Sequence, residues 1–170
     1  MNEKLQEAIE IALENEYSVQ EKHLRQLLNN CFTIVKDSAD EKGADMADVQ
    51  FFVMKFFKEL PRTMNGIKRS ELYAKGAKLM SLIFNKLDVD VTEKECFVLF
   101  HFRELGKFRT KEPKVFKELQ SEWGQHKEFS LDEPDFLEAV RELKNHGFIG
   151  HRRGAITLND ACVFRYKMVD

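Results

Sequence analysis

The sequence predicts a mainly α protein, with an N-terminal helical bundle over residues 1–88 followed by a C-terminal unit of three helices and a short β-hairpin over residues 92–170. Three observations lead there. Apolar residues recur at helical spacing along most of the chain, capping signals stand ahead of several of these runs, and a basic, glycine-flanked turn near the end separates two short apolar segments. The composition agrees: 43% of residues are hydrophobic and 33% charged, with only three prolines and eight glycines, which suits a folded helical chain rather than a linker.

Leu5, Ala8, Ile9, Ala12 and Leu13 define a first amphipathic helix. Ser18 and Glu21 form a capping box for a second, whose apolar face runs Leu24, Leu27, Leu28, Cys31 and Val35. The polar stretch from Asp37 to Gly43 breaks the pattern. From about Asp45 to Leu60 a third helix carries Phe51, Phe52, Val53, Met54, Phe56, Phe57 and Leu60 around nearly its whole circumference, so it needs cover on more than one side. Pro61 is expected to stop it. A fourth helix, from about Lys68 to Leu87, buries Leu72, Leu79, Met80, Ile83, Phe84 and Leu87.

The step Leu87–Val91 marks the internal boundary, because a fresh capping box, Thr92 with Glu95, opens the next helix through Cys96, Phe97, Leu99, Phe100 and Arg103. Gly106 ends it. Pro113 suits the first turn of the following helix, whose apolar positions are Val115, Phe116, Leu119 and Trp123. Asp132 is the expected cap of the last helix, with Pro134 where a missing amide costs nothing and with Phe136, Leu137, Val140 and Leu143 facing inward. Gly147 stops that helix, and FIGHRRGAITL reads as a hairpin. The tail ACVFRYKMVD admits a helix or, from the alternation of Phe164, Tyr166 and Met168 with Arg165 and Lys167, a strand; the helix is the expectation.

From Thr92 onward the order helix, helix, helix, hairpin, together with Leu143, Gly147, Phe148 and Ile149 ahead of the turn and Ile156, Leu158, Asn159 and Asp160 after it, resembles the winged-helix superfamily of many bacterial regulators. The resemblance covers just under half of the chain. It departs from the usual pattern at Cys162, where a glycine is common, and in a longer turn between the second and third helices. What the resemblance implies is a third helix placed in the major groove of DNA and a hairpin wing beside it.

The charges qualify that implication. With 27 basic and 29 acidic residues the chain has a formal charge of -2, so nucleic acid could be held only by a local patch. The third helix of the unit sets Asp132, Glu133, Asp135, Glu138 and Glu142 against Arg141 and Lys144, and clustered carboxylates repel phosphates. The hairpin offers His151, Arg152 and Arg153, and the region between the first two helices offers Arg103, Lys107, Arg109, Lys111 and Lys114. Exposed hairpins and loops are also where any soluble protein keeps its charges. Two functions follow: a regulator or accessory factor contacting duplex DNA mainly through a basic wing, or a non-catalytic protein-interaction subunit. In the first, residues 1–88 serve as a dimerisation, effector or partner module. In the second, Phe51, Phe52, Phe56 and Phe57 supply an interface to a protein partner or a second copy, although core burial, where most such residues go, accounts for them better.

No catalytic or cofactor signature stands out, and an enzyme is not expected. Arg141 and His146 match an arginine-to-histidine spacing found in a family of helical ribonucleases, but both lie where the winged-helix resemblance needs a helix end. His146, His151 and Cys162 lack structural-zinc spacing, and Cys31, Cys96 and Cys162 lack the pairing of a disulfide framework. Carboxylates at Asp132, Glu133 and Asp135 suit a helix start, and Trp123 suits a core. No cofactor or metal is expected. No apolar run reaches membrane-spanning length and the first residues do not read as a signal peptide, so the expected setting is the cytoplasm, away from membranes.

Overall fold

The computed structural model describes residues 6, 10, 21–39, 45–63, 68–104, 109–127 and 129–167. Among these the chain is mainly helical with small antiparallel sheets. Helix α1 (Glu21–Cys31) leads into strands β1 (Phe32–Ala39) and β2 (Asp45–Phe51), then helices α2 (Val53–Thr63) and α3 (Arg69–Lys86). Helix α4 (Glu93–Glu104), strand β3 (Arg109–Lys111), helices α5 (Glu112–Trp123) and α6 (Glu133–Asn145), and strands β4 (Ile149–Arg152), β5 (Ala155–Leu158) and β6 (Cys162–Lys167) complete it. Of the expected first helix, Gln6 and Glu10 are described and helical, and the Ser18 cap lies outside the described residues.

The amino-terminal half departs from an all-helical bundle. The second helix stops at Cys31 instead of running through Val35, and the Phe-rich helix starts at Val53 instead of Asp45. Between them β1 and β2 pair antiparallel, Phe32 opposite Phe51 and Ile34 opposite Val49. The burial period is two: Phe32 is buried and Thr33 exposed, Ile34 half-buried and Val35 exposed, Val49 and Phe51 buried with Gln50 between them half-buried. β-Branched and aromatic residues favour this pleated surface, and their density in the run around Phe51 hides the alternation. Helix α2 also passes Pro61, the expected stop, and ends two residues later at Thr63.

The tail is the third correction. Cys162–Lys167 is strand β6, not a helix, and it pairs with β2 in the order β1-β2-β6, with Cys162 opposite Phe51 and Phe164 opposite Val49. The last strand therefore carries the second region back into the sheet of the first. One continuous core joins them: Phe84 of α3 meets Phe51 edge to face at 5.2 Å and Phe148 at 5.0 Å between ring centroids.

The capping signals of the second region are present as hydrogen bonds. The Thr92 amide donates to Glu95 Oε2 and the Glu95 amide to Thr92 Oγ1, each at 3.2 Å. The Asp135 amide donates to Asp132 Oδ1 at 2.8 Å, and Gly147 leaves α6 at φ +80°. Val115, Leu119 and Trp123 are buried on α5, and Phe136, Val140 and Leu143 on α6. Leu137, expected inside, is 45% exposed. The buried set of α6 repeats at positions 136, 139, 140 and 143, which puts Leu137 on the far side of the helix.

Candidate nucleic-acid interface

Strands β3, β5 and β4 form a second sheet in that order, with β5 central. Lys111 pairs with Ala155, and Ala155 pairs on its other side with Arg152; Arg109, Thr157 and Gly150 form the next row. Directly opposed residues share a face of a sheet and neighbours along a strand alternate, so these two rows lie together. The row between them, Thr110, Ile156 and His151, belongs to the other face, and the fully buried Ile156 identifies that face as the inner one. The outer face thus gathers Lys111, Arg152 and the backbone position of Arg109 around a floor of Ala155, Thr157 and Gly150. Lys111 and Arg152 are exposed and stand two strand spacings apart, about 10 Å.

The hairpin turn is Arg153-Gly154, at φ +53° and +68°. Two left-handed central residues make the mirror-image turn that matches strand twist, and its first position favours asparagine, aspartate or glycine. Arg153 there is a bulky residue in a costly conformation. The Glu112 amide, at the start of α5, donates to the Gly154 carbonyl at 3.0 Å. The Glu112 carboxylate lies 2.9 Å from His151 Nε2, at an angle that does not make a hydrogen bond. The hairpin is held to the start of α5, next to which Lys111 of β3 and Lys114 and Lys117 of the helix are exposed.

The predicted basic residues divide accordingly. Arg152, Arg153, Lys111 and Lys114 are exposed at this edge, with Lys114 reaching Glu118 at 3.5 Å, whereas His151 is half-buried against Glu112. Arg103 lies near the end of α4, and Lys107 lies outside the described residues. Lys144 is exposed on α6. Arg141 is not available to phosphate in the same way: its Nε donates to Glu142 Oε1 and a terminal nitrogen to Glu138 Oε1, each at 3.0 Å. The hydrogen bond to Glu142 holds the guanidinium above its usual range and the Glu142 carboxyl below its own. Asp135 accepts from Lys94 Nζ at 2.7 Å. Asp132, Asp135, Glu138 and Glu142 thus serve backbone capping and local ion pairs.

Of the expected interface residues, Phe51, Phe56 and Phe57 are buried in the chain's own core, at no more than 1% exposure, and Phe52 is half-buried. Their rings are spent internally, Phe57 on Phe100 at 4.9 Å and Phe56 on Phe51 at 5.5 Å. Trp123 packs among Tyr73, Phe97 and Phe129. Burial pushes the Cys31 and Cys162 thiols up to about 12, and Cys96 is raised by the same cause. Among the described residues no group of three or more histidines, cysteines or carboxylates could hold a metal ion, and no helix is long and apolar enough to cross a membrane.

Lys117 and Glu112 were not singled out from sequence. Glu112 carried a local signal, a carboxylate at a helix start, but its partners on the hairpin lie about 40 residues away and come from sheet pairing. No family model, curated protein or solved structure matches this chain.

Proposed function

We propose that residues 92–158 form a winged-helix unit that binds duplex DNA as an accessory factor, with the wing and the start of α5 gripping phosphates. The order α4, β3, α5, α6, β4, β5, with β3 completing the hairpin's sheet, supports the winged-helix reading. One observation carries the DNA reading: the wing tip exposes Arg152 and Arg153 and holds Arg153 in a left-handed conformation that asparagine or glycine would adopt at lower cost. Lys111 and Lys114 extend the positive edge. Helix α6 is not the reader of bases, because its arginine is neutralised in place and carboxylates dominate it. Affinity then comes from phosphates and varies little with sequence.

A second reading has its own observation. Leu137 is 45% exposed on α6 between Glu133, Glu138 and Arg141, a composition that suits contact with a basic protein surface better than with DNA. The residues before α4 form the scaffold that carries the unit in either case.

Fluorescence anisotropy with several unrelated duplexes tests the first reading. Wild type binds them with similar affinity at low salt, and Arg152→Ala with Arg153→Ala weakens all of them together. Absence of binding at low salt sinks the DNA reading. Loss of a protein partner on Leu137→Glu, with DNA binding absent, would select the second.

A further inference from the structure

Helix α6 carries a stripe that meets solvent along its whole length. Glu133, Pro134, Leu137, Arg141 and Lys144 are all exposed, and spacings of three and four residues set them on one side of the helix. One exposed leucine is ordinary on a protein surface. The order of the charges is what gives this stripe a direction: Glu133 stands in its first turn, Arg141 and Lys144 in its last two, and the apolar pair Pro134 and Leu137 lies between them. Arg141 is already engaged by Glu138 and Glu142, so the cation of that end is Lys144. Like Glu133, it forms no ion pair among the described residues.

We propose that this stripe is the contact between two copies of the chain, with the two α6 helices antiparallel about a two-fold axis at Leu137. Positions equally far on either side of 137 then face each other. Leu137 meets Leu137 of the second copy, with Pro134 beside it, and Lys144 stands over the start of the other helix, about 4.5 Å along the axis from the level of Glu133. Long side chains span that offset, and symmetry supplies the Glu133 to Lys144 contact twice. Parallel pairing would set acid on acid and base on base. A foreign basic surface would match Glu133 and oppose Lys144, whereas a copy of the same stripe matches both. The contact uses the same patch on each copy and so closes at two. A 13-residue helix offers about 20 Å of length, less than a permanent interface uses, so the pair forms and separates with concentration. This inference deepens the second reading of α6 by naming the partner, and it is independent of DNA binding.

Sedimentation equilibrium of the full chain from about 10 µM to about 1 mM tests it. Wild type passes from monomer to dimer as concentration rises and goes no further. Glu133→Lys and Lys144→Glu each set like charges at the contact and stay monomeric where wild type is half dimeric. An equimolar mixture of these two variants restores the dimer, because the acidic stripe of one copy then lies on the basic stripe of the other. Leu137→Glu places a carboxylate at the axis and abolishes association. Thermal unfolding establishes that each variant is folded. Wild type that stays monomeric to the top of the range, single variants that dimerise as wild type does, or folded variants that fail to associate when mixed would overturn the inference. A monomeric chain that captures a different protein through Leu137 would overturn it as well, while supporting the second reading.

Discussion

The backbone amide of Glu112 donates to the carbonyl of Gly154 at 3.0 Å, tying the hairpin turn to the first residue of α5. Because that carbonyl belongs to the residue after Arg153, the bond fixes the turn in which Arg153 is left-handed. The charges of the hairpin and of the start of α5 are therefore tied into one edge. Binding energy then need not be spent on ordering two separate segments.

Arg153 separates stability from binding. Arg153→Asn places a residue suited to left-handed backbone in the turn and is expected to raise unfolding free energy by about 1 kcal/mol. It also removes a cation from the tip, so affinity for generic duplex DNA falls. Urea denaturation and anisotropy on the same preparation check the pair of outcomes. A variant that is both less stable and equally tight would contradict the account of the turn.

The Phe-rich segment should behave as core. Phe57→Ala deletes a fully buried ring packed on Phe56 and Phe100 and is expected to cost about 3–5 kcal/mol, whereas half-buried Phe52 should cost clearly less on the same change. Chemical denaturation of the two variants gives the comparison. Equal, small losses would return these residues to an interface.

Glu95 is held by the Thr92 capping box but lies in the interior, at 7% exposure, and burial raises its carboxyl above the ordinary 4.5 despite the hydrogen bonds from Thr92 that lower it. A raised folded value means that the native state binds the proton more tightly, so this group's contribution to stability falls as pH rises from 4.5 through that value. Glu95→Gln keeps an acceptor for the Thr92 amide without the buried charge. It should be at least as stable as wild type at neutral pH, with the advantage fading as pH falls through the raised value toward 4.5. Denaturation midpoints at neutral and acid pH test the sign.

The legibility of the fold follows the range of the interactions. Thr92 with Glu95, Asp132 with Asp135, and Gly147 are devices closed within a few residues, and all three were readable as caps. Strands β1, β2 and β6 were not. Their pairing brings Phe51 to Cys162, and no local rule announces a partner at that distance; a dense aromatic run also satisfies helical spacing by default. In the tail the alternation of Phe164 with its charged neighbours was visible, but the sheet that selects a strand is supplied by the other half of the chain. For the candidate site the cations at Arg152, Arg153, Lys111 and Lys114 were legible as charges. Their convergence on one edge, the engagement of Arg141 by two glutamates, and the outward position of Leu137 required the fold.

The salt dependence of DNA binding tests the central claim most directly. Plotting the logarithm of the association constant against the logarithm of salt concentration counts phosphate contacts, at about 0.9 in slope for each. Wild type should give a linear, negative slope, and Arg152→Ala with Arg153→Ala should reduce its magnitude by up to about 1.8 while thermal unfolding shows the variant folded. An unchanged slope, or no binding by wild type at low salt, would contradict wing-led contact with DNA.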